Sequence, residues 1–202
     1  MTLAFEKFIK QYEMTGREKA DGYSQDVFLG LDESEKKKVF ELLVAELPWG
    51  IDWLFFLEPK KALTVAKEKE GELRGKPYGD AYMLQQQIVK YSGDLIYQKH
   101  MIDDYAGYSE SVRPLVVDAI YRTPQNEDTI SFFKHVVLTE VSGSAIARAS
   151  RHLLDALKVP QASETEKGNY RAMVAELRSD DTPTKLRALA KLEKYRSLSS
   201  QP

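Results

Sequence analysis

Hydrophobic residues recur along almost the whole chain at spacings of three and four, which is the period of an amphipathic α-helix. The N-terminal pattern predicts a helix over 2–13, built on Leu3, Phe5, Phe8, Ile9 and Tyr12. Similar patterns predict helices over about 32–47, 59–70, 79–105, 109–121, 127–140, 144–158, 164–179 and 184–197. Because the 79–105 pattern contains Gly93, we predict two helices that meet there, with one kinked helix as the alternative. The sequence therefore predicts an all-α protein of about nine or ten helices.

Start and stop signals agree with this division. Asp32 followed by Glu35 forms the pattern of a capping box, and Pro59 suits the first turn of a helix. The segment 129–139 is rich in β-branched and aromatic residues, yet its spacing still favours a helix. The short connections predict antiparallel neighbours in a single domain over 1–202, with a subdivision near 71–78 as the alternative.

From about residue 79 the predicted helices come in pairs, which start near 79, 109, 144 and 182. The segment 111–120 has a proline early in its helix, and the segment 145–154 has an arginine followed by small residues and leucines. These two segments resemble the first and second helices of HEAT-type repeats. The resemblance covers about half of the chain and implies a HEAT-like array. An irregular helical bundle is the alternative.

Composition narrows the chemistry that the chain can perform. The 202 residues include no cysteine, which excludes disulfides, thiolate metal sites and a cysteine nucleophile. Only three histidines are present, and none has the spacing of a zinc or di-iron motif. We therefore predict no catalytic residues, no metal site and no cofactor.

The distribution of charge and hydropathy bears on localisation. The net charge is −2, which gives no general attraction to nucleic acid or membrane surfaces. The most apolar window, 49–57, is far shorter than the roughly 20 residues of a membrane span. The charged N-terminal segment does not resemble a signal peptide. We expect a cytoplasmic protein without membrane insertion, and a periplasmic location is the alternative.

The aromatic residues are unevenly distributed. Seven of the eleven tyrosines, including Tyr78, lie within 78–121, whereas no phenylalanine occurs between positions 57 and 131. The window 78–121 also contains six acidic and three basic residues, which gives it a net charge of −3. Tyrosine presents an apolar ring together with a hydroxyl that seeks water or a partner. The pattern predicts an acidic, tyrosine-rich surface that binds a basic protein partner. The alternative is that these tyrosines cap the core with their hydroxyls exposed.

The predicted binding residues combine carboxylates that meet Lys or Arg of the partner with tyrosine rings that supply contact area. They are Tyr97, Asp103, Asp104, Tyr105, Tyr108, Asp118 and Tyr121. Asp103 and Asp104 are adjacent on a helix and point about 100° apart, so they do not form a shared-proton pair.

A small, cysteine-free helical protein with an acidic tyrosine patch resembles the bacterial immunity proteins. This resemblance implies a tight one-to-one complex in which the chain neutralises a toxin by covering its basic active site. The alternative function is a helical-repeat protein that binds nucleic acid or repairs bases. That function would use Trp53 and the basic residues of the last helix, which are Lys185, Arg187, Lys191, Lys194 and Arg196. Because the net charge of the chain is close to zero, nucleic acid is the less favoured partner.

Overall fold

The computed structural model describes residues 1–15, 22–76 and 80–199, and all regular structure within these ranges is helical. Eleven α-helices and two short 3₁₀ helices are present in this part of the chain, and no strand occurs there. The predicted all-α class is confirmed. The chain divides into two compact units, residues 1–73 and 74–202.

The described residues of the first unit form four α-helices and one 3₁₀ turn. They are α1 (Leu3–Tyr12), the 3₁₀ turn Gln25–Phe28, α2 (Glu33–Ala45), α3 (Ile51–Leu57) and α4 (Pro59–Leu73). The predicted capping box opens α2, because the Asp32 carboxylate accepts from the Glu35 amide at 2.9 Å. Glu35 also accepts from the amide and the hydroxyl of Thr2, both at 2.7 Å, and so joins the starts of α1 and α2.

Aromatic and aliphatic side chains fill the core of the first unit. Phe8, Phe40, Leu43, Leu54 and Phe55 are all essentially inaccessible to solvent. Gly50 allows α3 to approach α2 closely, because a β-carbon there would lie 2.9 Å from the Leu43 carbonyl oxygen.

Seven α-helices and one 3₁₀ turn occur in the part of the second unit that the structure describes. They are α5 (Ala81–Ser92), α6 (Ile96–Asp104), the 3₁₀ turn Tyr105–Gly107, α7 (Arg113–Tyr121), α8 (Glu127–Thr139), α9 (Gly143–Ala156), α10 (Glu164–Leu177) and α11 (Thr182–Ser199). The predicted break at Gly93 is present, and this glycine ends α5 in the left-handed conformation with φ of 71°. Its amide donates to the Val89 carbonyl at 2.8 Å.

Helix α9 is central to the second unit because it packs against α7, α8 and α10. Its inner face is formed by Ala145, Ala149, Leu153 and Leu154, all fully buried. The β-rich segment 129–139 is helical, as predicted from its spacing. A capping box between Asn126 and Thr129 starts α8, and its β-branched residues lie in the core, where burial outweighs their weak helix propensity.

The spacing of helix pairs in the second unit is irregular. Helices α5, α7, α9 and α11 begin at residues 81, 113, 143 and 182. Both the HEAT-like array and the irregular bundle are compatible with this order, so the choice between them stays a prediction.

Candidate protein-binding groove

The structure corrects the expected exposure of Tyr105 and Tyr108. Both side chains lie in the hydrophobic core of the second unit, with 7% and 8% of their surface accessible. The Tyr105 ring contacts Phe132 edge-on, with ring centres 5.0 Å apart, and its hydroxyl donates to Glu140 at 2.7 Å. The Tyr108 hydroxyl accepts from the Tyr82 amide at 3.1 Å. Most of each ring is inaccessible to a partner, because the chain turns into the core directly after α6.

A buried ion pair holds this turn in place. Glu140 has only 3% of its side chain exposed and pairs with Arg113 at 3.2 Å. Arg113 also donates to the backbone carbonyls of Ala106 and Tyr108. Burial alone would raise the pKa of Glu140, but the hydrogen bonds from the Ser142 and Val141 amides and the Tyr105 hydroxyl outweigh it and lower this pKa. Burial, together with the bond to Glu140, raises the pKa of the Tyr105 hydroxyl.

Asp104 was predicted to meet a cation of the partner, and the structure places it in an internal ion pair. Its two carboxylate oxygens accept from Arg74 Nε at 3.0 and 2.9 Å, and one also accepts from Gln85 at 3.1 Å. Because Arg74 lies 30 residues earlier in the chain, no local pattern indicated this pairing.

Asp118 and Tyr121 are also engaged internally, contrary to the predicted open surface. Asp118 pairs with Arg148 and lies 2.8 Å from His152 Nε2. The Tyr121 ring stacks on the His152 imidazole, with ring centres 3.9 Å apart and planes within 7°. Burial, assisted by nearby arginines, lowers the pKa of His152 to about 4, although Asp155 acts in the opposite direction. The imidazole is therefore neutral at pH 7.

Two predicted binding residues remain at the surface. Tyr97 is half-buried and meets His100 edge-on at 5.4 Å. Asp103 is exposed, and its side chain forms no hydrogen bond or ion pair with any residue that the structure describes. Tyr78, which was part of the predicted surface, lies outside the described residues.

Asp103 lines a surface groove of about 530 Å³ between α6 and α8. One wall follows α6 and the turn after it, with Lys99, Ile102, Asp103 and Ala106. The opposite wall follows α8, with Asp128, Ser131, Phe132 and His135. Tyr105, which contacts Phe132, also lines the groove. The groove thus brings together residues that are far apart in the sequence.

The polar side chains of the groove differ in their partners. Asp128 is exposed and, like Asp103, its carboxylate has no partner among the described residues. Lys99 is an exposed cation on the same wall as Asp103, and His135 contacts the Thr139 hydroxyl at 3.2 Å. The two carboxylates outnumber the one ammonium of Lys99. Two carboxylates without partners among the described residues, on opposite walls of one groove, form a site suited to a cationic side chain.

The sequence did not identify the α8 wall. Asp128 lies in the first turn of α8, where an acidic residue is expected because it interacts favourably with the helix dipole. Phe132 lies in the β-rich segment 129–139, for which the sequence predicted a helix and no binding role. A spacing of i, i+3, i+4 and i+7 over 128–135 matches that over 99–106, and this shared period was the one available signal.

The residues of the alternative function are largely occupied. The Trp53 ring is half-buried and stacks on Phe28 with ring centres 4.5 Å apart. Lys185 is buried and donates to the Val137 carbonyl at 2.8 Å, while Lys191 pairs with Glu176 at 2.7 Å. The Arg196 side chain lies outside the described part of the chain. The last helix therefore presents fewer free cations than its sequence predicted.

Two further observations concern cofactors and membranes. Within the described ranges, no group of three or more histidine, aspartate or glutamate side chains is placed to hold a metal ion. No helix there combines the length and apolar character needed to cross a bilayer.

Comparison of the chain with protein-family models, with curated proteins and with solved structures found no match. Any function assigned to the groove therefore depends on its own chemistry.

Proposed function

We propose that this protein is a non-catalytic protein-binding module and that the groove between α6 and α8 receives a lysine or arginine side chain of the partner. The single observation that carries this proposal is the pair of carboxylates, Asp103 and Asp128, which line opposite walls of the groove and have no partner among the described residues. Neighbouring carboxylates at 104, 118 and 140 are all paired internally. These two are not.

The chemistry of the groove favours a cation over a neutral ligand. A cation that enters meets carboxylates on both walls, and its aliphatic stem lies against the apolar side chains that line the groove. An acidic side chain in the same place would meet only Lys99 and would be repelled from both walls.

The geometry also favours binding over catalysis. Of the acidic residues around the groove, the most buried is Glu140, and it is held in the carboxylate form by Arg113 and two backbone amides. His152 is stacked and neutral, and it lies next to the paired Asp118. These groups stabilise the fold. Each is already held by an internal partner, which it would have to release in order to act in catalysis.

The wider role that we propose is neutralisation of a basic protein, of the kind expected from the resemblance to immunity proteins. A toxin whose active site carries Lys or Arg offers the cation that this groove fits. A complex of this kind is stabilised by a few anchors, each of which contributes about 2 kcal/mol or more.

The test compares a groove variant with a matched surface variant. Asp103→Lys/Asp128→Lys reverses both free carboxylates of the groove. Glu110→Lys/Asp180→Lys makes the same change of charge at two other exposed acidic residues. Each chain is immobilised and exposed to proteins of the source cell, and the retained partner is then purified and titrated by calorimetry. We expect the groove variant to bind at least roughly thirtyfold more weakly, while the matched variant keeps its affinity.

Equal retention by both variants would remove the groove from the interface and contradict the proposal. A partner that proves to be nucleic acid, released by moderate salt, would favour the alternative function instead.

A further inference from the structure

The groove is bounded by two helices whose lining residues have the same spacing. Each wall supplies positions i, i+3, i+4 and i+7, from Lys99 to Ala106 on one side and from Asp128 to His135 on the other. Seven residues of an α-helix span about 10 Å, so the groove runs along both helices for roughly two turns. The lining residues thus follow the direction of the two helices rather than crossing it.

The α6 wall continues beyond the groove into an apolar surface. Leu95 and Ile96, at the start of α6, have 42% and 47% of their surface exposed. Ile96, Lys99 and Asp103 share one face of the helix, at i, i+3 and i+7. The same face is thus apolar at its first turn and acidic two turns later. Single exposed apolar residues are ordinary, but this pair lies in line with the unpartnered carboxylates.

We infer that the partner docks an amphipathic α-helix along α6, with a basic residue in the groove and an apolar residue against Leu95 and Ile96. This inference deepens the proposed function and depends on it. The partner helix presents its apolar and basic residues about two turns apart on one face, to match Ile96 and Asp103. An amphipathic helix in a groove between two helices is a common mode of recognition, because its anchors then recur at three, four and seven residues.

Charge and shape both favour this occupant. A helix packs at 8–10 Å from its neighbour, a distance at which a basic side chain reaches a carboxylate on the wall. In an extended strand, consecutive residues lie about 3.3 Å apart and their side chains point to opposite faces. An apolar and a basic side chain on such a strand would not meet Ile96 and Asp103, about 10 Å apart, from the same face. Lys99, between the two ends, disfavours a basic residue in the middle of the partner helix.

The experiment uses a phage-displayed library of random 16-residue peptides as the probe. The library is selected on the wild-type chain and depleted on Asp103→Lys/Asp128→Lys. We expect the retained peptides to carry Lys or Arg and an aliphatic residue about seven positions apart. Synthetic versions of these peptides should gain helical circular dichroism on binding.

Calorimetry with the strongest peptide then separates the two claims. We expect a loss of at least tenfold in affinity for Asp103→Lys, a loss of about threefold to tenfold for Ile96→Ser, and no change for Glu110→Lys/Asp180→Lys. A proline in the middle of the peptide should abolish binding, because it interrupts the helix.

The two failures are distinguishable. Basic peptides that depend on Asp103 but tolerate the central proline, or ignore Ile96→Ser, would overturn the helical inference and leave the proposed function intact. A selection that yields only peptides independent of Asp103 and Asp128, or acidic peptides, would overturn both.

Discussion

The groove resembles a second group of side chains, the Asp118 cluster, in composition but not in the pairing of its carboxylates. The Asp118 cluster consists of Asp118, Tyr121, Arg148 and His152. Each places aspartate beside aromatic rings, and each includes a histidine. In the cluster, Arg148 compensates the charge of Asp118 within the molecule, and the neutral His152 lies within hydrogen-bond distance of the same carboxylate. In the groove, Asp103 and Asp128 remain without such partners among the described residues. The internal supply of cations, more than the aromatic setting, decides which carboxylate stabilises the fold and which is free to bind.

This contrast is sharpest between adjacent residues. Asp103 and Asp104 follow one another on α6, yet Asp104 accepts two hydrogen bonds from Arg74 whereas Asp103 faces the groove. We therefore expect substitution of an internally paired carboxylate to change stability, and substitution of a groove carboxylate to change binding.

The largest effect on stability is expected from Glu140→Ala. This change removes the buried partner of Arg113 and leaves the Tyr105 hydroxyl and the Ser142 amide without the acceptor that they share. We expect a decrease of about 4 kcal/mol in the free energy of unfolding, measured by urea denaturation at pH 7. The carboxylate of Glu140 has a lowered pKa, so its contribution is present above pH 4.5 and is lost as the pH falls through the folded-state value.

The pH dependence supplies the control for Glu140. The difference between wild type and Glu140→Ala should shrink in acid, as the wild type loses this contribution. A difference that stays constant from pH 7 to pH 3 would show that the charge of Glu140 is not what stabilises the turn.

An intermediate effect is expected from protonation of His152. Its folded-state pKa of about 4 lies below the ordinary value of 6.5, so the unfolded chain binds the proton more readily. Stability that depends on the neutral imidazole is therefore complete above pH 6.5 and is lost as the pH falls towards 4. At pH 4.5 we expect a loss of about 2 kcal/mol relative to pH 7, and His152→Gln should lack this component.

Nuclear magnetic resonance gives a direct check of the same group. The imidazole proton shifts of His152 should titrate near pH 4, while a midpoint near 6.5 would contradict the burial that the stack with Tyr121 imposes.

The smallest effect on stability is expected from Asp103→Asn/Asp128→Asn. Neither carboxylate has an internal partner within the described residues, so the free energy of unfolding should change by no more than about 0.5 kcal/mol. The same variant should lose affinity for the partner, as the charges that the groove offers are gone. A large loss of stability would indicate that these carboxylates belong to the fold.

Most helices could be predicted from the sequence, because periodicity and capping act over a few residues. Asp32 with Glu35 and Pro59 mark the starts of α2 and α4 as predicted. The segment 129–139 forms a helix although its composition favours a strand, and its apolar period was the better guide.

The candidate site could be predicted only in part. Clustering of tyrosine and acid drew attention to 78–121, and Asp103 lies in both the predicted set and the groove. Tyr105 and Tyr108 were expected at the surface, but the turn after α6 directs both rings into the core. A tyrosine is equally suited to a wet surface and to a core with one hydrogen-bond partner, so its presence alone did not distinguish the two.

Local interactions among neighbouring residues were enough to place the helices, their caps and the unusual window of tyrosines and acids. The tertiary structure alone determined that Arg74 compensates Asp104, that Arg148 compensates Asp118, and that α8 brings Asp128 opposite Asp103. These three juxtapositions join residues 25 to 30 positions apart, beyond the reach of any helical period. Whether an acidic residue is available to a partner depends on the cation that folding brings to it.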